Sequence, residues 1–575
     1  MVIIQDGPCW LLFREPVRVI TAVTPNEVAA ALDEVETAVS TQSLHAAGFL
    51  SYEAAAAFGL AVHPPRPDDP PLLWFGLYAA PEILTSLDDF VVTDYEIGDW
   101  RVGLAETAYA TAVARIKSQI AAGNTYQVNF TFPLNAPFRG EPLALFRQLV
   151  RGQQAEYAAY VDTGRHVVCS VSPELFFRLE GDTLTSKPMK GTAVRGRTLA
   201  EDDANAAWLR QSEKNRAENV MIVDMIRNDM GRVATIGSVA APELFAVERY
   251  PTLLQMTSTV TARTAVPVSD IFRAMYPCAS ITGAPKVRTM QLIRGLEPEP
   301  RGVYTGAVGF IAPGRRAQFN VAIRTVVVDR ERETAVYHVG SGVVWDSDPA
   351  AEYAECLLKA QVLLAQRPEF DLLESLLWTP DEGYVLLDRH VARLLDSAVY
   401  FGFAVAETAV RQALVDLAVG LTEPCKVRLL AGRNGRLQVE CAPLLRLPDP
   451  PLVGLAREPV QSDDVFLYHK TTRRQAYEAA KASRPDCDDV ILWNERGELT
   501  EASSSNLALA LAGELWTPPV GCGLLAGTLR AEMLANGRLQ EKVLTKEDLQ
   551  RAEAIYLMNS VRGWRRGEIL IQRDK

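Results

Sequence analysis

The stretch Ser170 to Thr192, SVSPELFFRLEGDTLTSKPMKGT, constrains the fold of this chain more than any other. Ser172-Pro173 and Gly181-Asp182 are turn signals. The apolar, β-prone runs around them predict two strands folded as a hairpin. Such a hairpin draws Glu174 and Lys190 toward one another. A carboxylic acid and a neutral amine in one pocket can divide the replacement of a hydroxyl: the acid protonates the leaving oxygen and the amine attacks carbon. From this stretch alone a surface ion pair is an equal alternative.

At 575 residues the chain exceeds one ordinary core, so two or more domains are expected. Its net charge of −12 argues against a general nucleic-acid or membrane-surface binder. An anionic small substrate would then need local basic residues and backbone N–H groups. No run approaches the roughly 18 apolar residues of a membrane span, and MVIIQDGPCW has no signal-peptide pattern. The eight cysteines lack metal-type spacing and read as reduced, cytoplasmic thiols. Cys522, in VGCGLLAG, lacks a nucleophile-elbow spacing and is expected to be inert.

Residues 1 to about 100 read as strands with proline-rich breaks, and GFLSYEAAAAFGL (48–60) as a strand running into a helix. Tyr109, Val113, Ile116 and Ile120 predict an amphipathic helix from Glu106 to Ala122, followed by a strand carrying Gln127. Gln127 can point into a pocket or cap an edge. Residues 212–233 predict a helix on which Glu218 shares a face with Met221, Ile222 and Met225. A carboxylate there needs a metal or an arginine partner. PCASITGAPK predicts a small-residue loop opening a helix near Pro285, able to hold an anion or simply to turn. Residues 302–312 and 317–328 predict successive strands of a meander, with Arg324 interrupting the second. Residues 336–365 predict a strand, a glycine turn at Gly340-Ser341-Gly342, and a helix capped by Asp348-Pro349. Glu352, Glu355 and Lys359 would lie along one face of that helix. Read alone, they form a solvated face. Read with Glu218, they offer carboxylates to a hard cation such as Mg²⁺.

A polar joint at 366–369 separates domains spanning 1–365 and 370–575. The second domain begins with two strands around Asp381-Glu382-Gly383 and a helix bearing Arg393. A hairpin follows, turning at Asn434-Gly435. A strand ending near His469-Lys470 leads into a helix, and another hairpin leads to Glu501 and a Ser-Ser-Ser-Asn run. A glycine turn then opens a helix at Thr528. A strand-end lysine, a carboxylate some thirty residues on, and N–H-rich turns are what a pyridoxal phosphate site requires.

Both halves resemble known families. GNTYQVN, SPELF, KPMKGT, EKNRAENVMIVDMIRND, SITGAPK, YTGAVGF, AIRT, GSGVVWDSDP and EYAECLLKA occur in order between about 100 and 362. They resemble the chorismate-utilising enzymes: anthranilate, isochorismate, salicylate and aminodeoxychorismate synthases. That resemblance implies an α/β (α+β) fold, a large β-sandwich with helices. It implies Glu218 and Glu355 as Mg²⁺ ligands, Glu352 as a further acid of the metal site, and Lys359 beside them. It places Thr282, Tyr304, Arg324 and the Gly340-Ser341-Gly342 turn on the substrate, and makes Glu174 the general acid at the C4 hydroxyl. Isochorismate and salicylate synthases carry a base lysine where this chain has Gln127. Anthranilate synthases carry a small residue where it has Lys190. A lysine in P-x-K-G-T marks the aminodeoxychorismate synthases, where it acts as nucleophile. The sequence departs from the group at Gln255 (a histidine in anthranilate synthases), at Cys278-Ala279 (usually Gly-Gly) and at Asn219 (often histidine).

Residues 370–575 resemble the fold-type IV pyridoxal phosphate enzymes, which include D-amino acid aminotransferase and aminodeoxychorismate lyase. Lys470 matches the Schiff-base lysine and Glu501 the pyridine partner. Arg393, Ser505, Asn506, Thr528 and Leu529 match phosphate-side positions, Leu529 through its backbone N–H alone. HKTTRRQAY and NSVRGW resemble the lyase branch most, with Arg562 placed to meet a substrate carboxylate. Together the resemblances imply amination of chorismate to 4-amino-4-deoxychorismate, then loss of pyruvate to give 4-aminobenzoate for folate synthesis. Ammonia would come from solution or a separate glutaminase, and the second resemblance allows a homodimer through its domain. The alternatives are an anthranilate synthase-like domain fused to an aminotransferase, and a chorismate-binding scaffold without turnover.

Overall fold

A computed structural model of the chain describes residues 1–88, 90–153, 155–363, 368–446 and 448–570. Two compact units emerge: Met1–Val194 with Ala206–Arg367, and Pro368–Lys575 with Arg195–Asn205. Positions 366 and 367 of the proposed joint lie outside the described residues.

In the first unit, two large antiparallel sheets, eleven- and ten-stranded among the described residues, face one another. Val2, Ile4, Leu11 and Phe13 of one sheet meet Phe49, Trp74, Val308 and Phe310 of the other in a dry layer. Helices cover the outer faces. Helices Glu106–Ala121 and Pro142–Gln153 pack on the first sheet, and Pro25–Gln42, Glu213–Gly231 and Val268–Met275 on the second. Burying side chains such as Phe176 and Phe177 is worth about 1.5–3 kcal/mol each.

The hairpin of strands Leu175–Glu180 and Thr183–Lys187 forms as expected, pairing Leu179 with Leu184 and Glu180 with Thr183. Gly181 takes a φ of +62° at its turn, a conformation that favours glycine. The chain then breaks at Pro188, and Lys190 lies on a further strand, Met189–Val194.

Several expectations are corrected. The segment 317–328 is two strands in different sheets: Arg316–Val321 pairs in the second sheet and Thr325–Asp329 in the first. The crossing occurs at Ala322–Arg324, where Arg324 has a φ of +49°. Gly340, Ser341 and Gly342 are not a turn. Strand Thr334–Val343 runs straight through them, paired with Thr131, Phe130 and Asn129. The glycines serve close packing instead: a Cβ at Gly340 would stand 2.6 Å from the Phe130 carbonyl oxygen. The expected strand running into a helix is present, the helix at residues 52–58 being of the 3-10 type. The helix Pro25–Gln42 lies where only strands were expected, its start fixed by Glu27 accepting from the Thr24 N–H at 2.9 Å.

The second unit contains a four-stranded and an eight-stranded sheet among the described residues. The helix bearing Arg393 (Leu387–Phe401) and the hairpin Cys425–Ala431/Leu437–Pro443 form where predicted. Lys470 is not at a strand end. It follows the 3-10 helix Val465–Leu467 and is tied down by its carbonyl, which accepts from Leu373 N–H at 2.9 Å. No helix among the described residues is long and apolar enough to cross a membrane, and all eight cysteines are free.

Candidate active sites

The first candidate site sits where the chain crosses between sheets. One crossing carries Glu174, between strands His166–Ser172 and Leu175–Glu180; the other carries Arg324. The two are laced together. Val321 N–H donates to Glu174 O and Val171 N–H to Arg324 O, both at 3.0 Å. Ser172 Oγ donates to Val321 O at 2.6 Å.

Gln127 and Lys190, from facing sheets, converge at Gly342. A Cβ added there would stand 2.2 Å from Gln127 Nε2 and 3.2 Å from Lys190 Nζ. Glycine is therefore the condition for these two side chains to meet. Glu174 is 2% exposed and Gln127 likewise. Glu174 Oε1 and Gln127 Oε1 are both buried without hydrogen-bond partners. Buried oxygens left without partners call for an explanation, and a polar ligand would supply one.

Electrostatics bind the cluster together. Burial pushes the Glu174 carboxyl up to about 7, against hydrogen bonding to Ser280 and the field of Lys190. Burial also pulls the Lys190 amine down, Lys359 adds to that, and Glu174, Glu218 and Glu355 oppose it. Burial thus moves Glu174 toward its protonated form and Lys190 toward its free amine, the directions an acid and a nucleophile need. Burial raises Glu218 as well, with Glu352 and Glu355 adding repulsion. No ion pair to arginine holds Glu218 among the described residues.

The other expected residues fall nearby with particular commitments. Lys359 Nζ donates to Gly340 O at 3.0 Å and pairs with Glu355 at 2.8 Å. Glu352 accepts from Ser347 Oγ at 2.7 Å. Ser341 Oγ bonds Tyr109 OH at 2.8 Å. The Thr282 hydroxyl turns back on Ala279 O at 3.3 Å. Tyr304 stacks on His338, centroids 5.1 Å apart. Arg324 donates to Gln153 at 3.1 Å and lies over Tyr250; burial lowers its pKa. Among the described residues no three His, Cys, Asp or Glu side chains are grouped to hold a metal. The donor set that remains is two carboxylates, Glu218 and Glu355, which suits a cation completed by water and substrate oxygens.

Sequence reasoning missed the buried frame behind this site. Arg301 makes a two-pronged pair with Glu297, at 2.7 and 2.9 Å, and donates to Asn129 O and Ile281 O. The signal was present as an i,i+4 pair, but its burial was not.

In the second unit a cavity of about 680 Å³ is lined by Arg393, Lys470, Tyr477, Glu501, Ser505, Asn506, Thr528 and Arg562. Burial and Arg393 bring Lys470 down to about 8. Burial lifts Glu501 to about 7, although Leu525 N–H (2.9 Å), Tyr477 OH (2.8 Å) and Asn506 Nδ2 (3.0 Å) all donate to it. Gly527, capping the helix Thr528–Ala535, leaves a cradle that a Cβ would fill, 1.8 Å from Asn506 Oδ1. A lysine, a fully buttressed acid and a glycine-opened helix start fit pyridoxal 5′-phosphate.

Arg393 supports the cavity wall indirectly. Its guanidinium is committed to Glu374 at 2.7 and 2.9 Å and to Ala526 O at 3.1 Å. Burial would raise Glu374, but Arg393 and His390 prevail and hold it at about 2. His390 links this pair to Ser560 and Thr528. Glu374 was legible only as a lone acid in an apolar strand. Ser505 accepts from Asn559 at 3.1 Å, and the Leu529 side chain packs into an apolar cluster. Arg562 donates to Leu445 O at 2.6 Å.

Residues 5–365 match the family of chorismate binding enzymes, and the chain belongs to that family. Residues 371–568 match the class IV aminotransferases, a match that implies pyridoxal 5′-phosphate. An aminodeoxychorismate synthase of Streptomyces pristinaespiralis is 47% identical over 260 residues, 45% of this chain and 36% of its own length. Anthranilate synthase component 1 of Streptomyces coelicolor is 40% identical over 277 residues, 47% of this chain and 53% of its own. The chain thus spans about half or less of the length of these curated relatives. The crystal structure of anthranilate synthase component I from Streptococcus pneumoniae TIGR4 shares the fold. Its TM-score is 0.54 at 23% identity, over 62% of this chain and 92% of that one.

Proposed function

We propose that the first unit replaces the C4 hydroxyl of chorismate with ammonia and that the second eliminates pyruvate from the product, giving 4-aminobenzoate. The observation that carries this reading is the convergence of Lys190 and Gln127 at Gly342, in a site where burial pushes the Glu174 carboxyl up to about 7. Lys190 Nζ bonds to C2 of the ring, both ring double bonds shift, and the C4–O bond breaks as Glu174 delivers its proton, releasing water. Ammonia then bonds to C4 and gives up a proton to Glu174, both double bonds shift back, and the C2–N bond breaks, returning the free amine. Gln127 offers no base to activate water at C2, which separates this chemistry from hydration. Arg324 and Tyr304 hold the enolpyruvyl carboxylate, with Thr282 and the Gly340–Gly342 strand lining the ring. Glu218 and Glu355 would hold a Mg²⁺ ion, which supplies charge to fix the ring carboxylate. Glu352 positions the loop beside them through Ser347. A relative named component 1 supports assigning ammonia supply to a separate glutaminase.

In the second unit, pyridoxal 5′-phosphate supplies an electron sink to the bound amine when present. Lys470 would carry it and, once freed, moves a proton as the enolpyruvyl group leaves. Glu501 would hold the ring nitrogen, and Ser505, Asn506, Thr528 and the Leu529 N–H would hold the phosphate side. Arg562 and its cationic neighbours Lys426 and Arg474, which crowd one another, receive substrate carboxylate.

The test incubates the full chain with chorismate, Mg²⁺, pyridoxal phosphate and excess ammonium at mildly alkaline pH. The expected products are 4-aminobenzoate and pyruvate, lost in Lys190→Ala, with aminodeoxychorismate accumulating in Lys470→Ala. Anthranilate, or no consumption of chorismate, would overturn the reading of the first unit.

A further inference from the structure

Lys190 stands at an irregularity in its sheet. Strand Met189–Val194 pairs with Leu253–Arg263 at Met189↔Thr257 and at Thr192↔Gln255, and between them the register shifts. Lys190 and Gly191 are the residues in that gap. A bulge re-aims the side chain it carries and costs the strand its ladder bonds there. Carbonyls that lose ladder partners in a buried site need replacements.

Two side-chain amides supply them. Asn219 Nδ2, from helix Glu213–Gly231, donates to Lys190 O at 3.4 Å. Gln255 Nε2, from the neighbouring strand, donates to Gly191 O at 2.8 Å. Each amide is itself held. Ser258 Oγ donates to Asn219 Oδ1 at 2.6 Å, and Thr192 Oγ1 to Gln255 Oε1 at 3.3 Å. Asn219 is 1% exposed and Gln255 8%. Gly191 has a φ of +97°, and a Cβ there would press on Asn215 at 3.1 Å. The bulge is therefore specified from three sides: a glycine at its apex and an amide on each carbonyl.

We propose that Gln255 and Asn219 are positioning residues that hold the Lys190–Gly191 bulge and so aim the Lys190 amine across to Gln127 and Gly342. The amides touch only the backbone; their effect on the reaction is through Lys190. A histidine at either position would need a particular tautomer to donate to a carbonyl, whereas a carboxamide always has a donor and keeps an acceptor for its own anchor. The two positions act on one bulge, so their effects do not add. The inference rests on the reading of Lys190 as the attacking amine.

The experiment uses the full chain and the variants Gln255→Met, Asn219→Asp and the pair combined, with Gln255→His as a partial rescue. Two readouts are taken. One is kcat and KM for chorismate with ammonium. The other is the pH dependence of Lys190 acylation by acetic anhydride, followed by peptide mass spectrometry without chorismate. Expected for Gln255→Met are a kcat reduced at least tenfold, a KM within twofold, and a shifted acylation profile. Asn219→Asp should act in the same direction but less, and the double variant little beyond Gln255→Met. Gln255→His should recover part of the kcat. The circular dichroism spectrum and thermal melt of the full chain report that each variant is folded, and turnover of aminodeoxychorismate reports the second unit. A kcat and an acylation profile within twofold of the parent in both single variants would overturn the proposal. So would equal losses in both units. If Lys190→Ala itself keeps full amination, the nucleophile reading falls, while the acylation profile still judges the hold on the bulge.

Discussion

The two sites each contain an acid lifted by burial to about 7, yet they treat its oxygens in opposite ways. Glu174 keeps one oxygen buried and unpartnered, and Gln127 beside it does the same. Glu501 has donors on both oxygens, from Tyr477, Leu525 and Asn506. An orphaned buried acceptor costs about 1–3 kcal/mol, so a fold keeps one only where something arrives to satisfy it. The first site is built for a ligand that comes and goes. The second is built around a group that stays, and its acid is oriented in advance. Under the proposed chemistry the same acidity would serve proton delivery in one unit and a fixed electrostatic partnership in the other.

The comparison breaks most sharply under lysine removal. Lys190→Ala should abolish only amination and Lys470→Ala only pyruvate release, each by about 10⁴-fold, the scale of losing one member of a catalytic unit. Product chromatography checks this, and loss of both activities in either variant would deny the separation. Glu174→Gln comes next, lowering amination by about 10³-fold as a general acid is lost. Its pH behaviour sharpens the point. Glu174 must be protonated, so amination should fall as pH rises past about 7; Lys190 must be neutral, which favours higher pH. Because the fold raises Glu174 above its usual 4.5, its contribution to stability is present below that pH and lost as pH climbs through about 7. Glu174→Gln should remove that decline in melting temperature between pH 5 and 8.

Gly342→Ala deletes no functional side chain but puts a methyl 2.2 Å from Gln127 Nε2 and 3.2 Å from Lys190 Nζ, so Gln127 must move. We expect about 10²-fold less amination, as for a displacement of an ångström at a reacting centre, with the second activity unchanged. The smallest effect is Tyr477→Phe. Removing one hydrogen bond of ~1.5 kcal/mol from the Glu501 carboxylate should slow pyruvate release about tenfold and raise the Glu501 pKa further. Spectral titration of the cofactor reads that shift, and an unchanged titration would mean the buttress is not felt by the ring.

The sequence disclosed these sites unevenly. The hairpin after Glu174 was readable because its turns are written in Ser-Pro and Gly-Asp and its strands in apolar runs; the break at Pro188 that puts Lys190 on a separate strand was not. The helix Pro25–Gln42 carried a legible start, Thr-Pro-Asn-Glu, and apolar spacing through Val28, Leu32, Val35 and Val39, which reading residues 1 to about 100 as strands passed over. The change of sheet at Arg324 left almost no trace, since AQFNVAIRTVVV is continuous in β propensity and sheet identity is a tertiary matter. Gly340-Ser341-Gly342 looked like a turn because glycine usually signals one; here it signals close approach across a sheet. Lys470 was found by type, but the 3-10 helix before it was hidden in an apolar run. The burial of Arg301 and Glu297 was beyond reach, because an i,i+4 ion pair reads the same on a surface as in a core.

The lacing of the two sheet crossings has a further consequence, in the time domain. The amides of Val321 and Val171 donate to the backbone of Glu174 and Arg324, so acid and carboxylate clamp share one seam between sheets. Local fraying cannot release one without the other. Those two amides should trade hydrogen for deuterium only when the first unit opens as a whole, making the catalytic geometry as durable as the domain that encloses it.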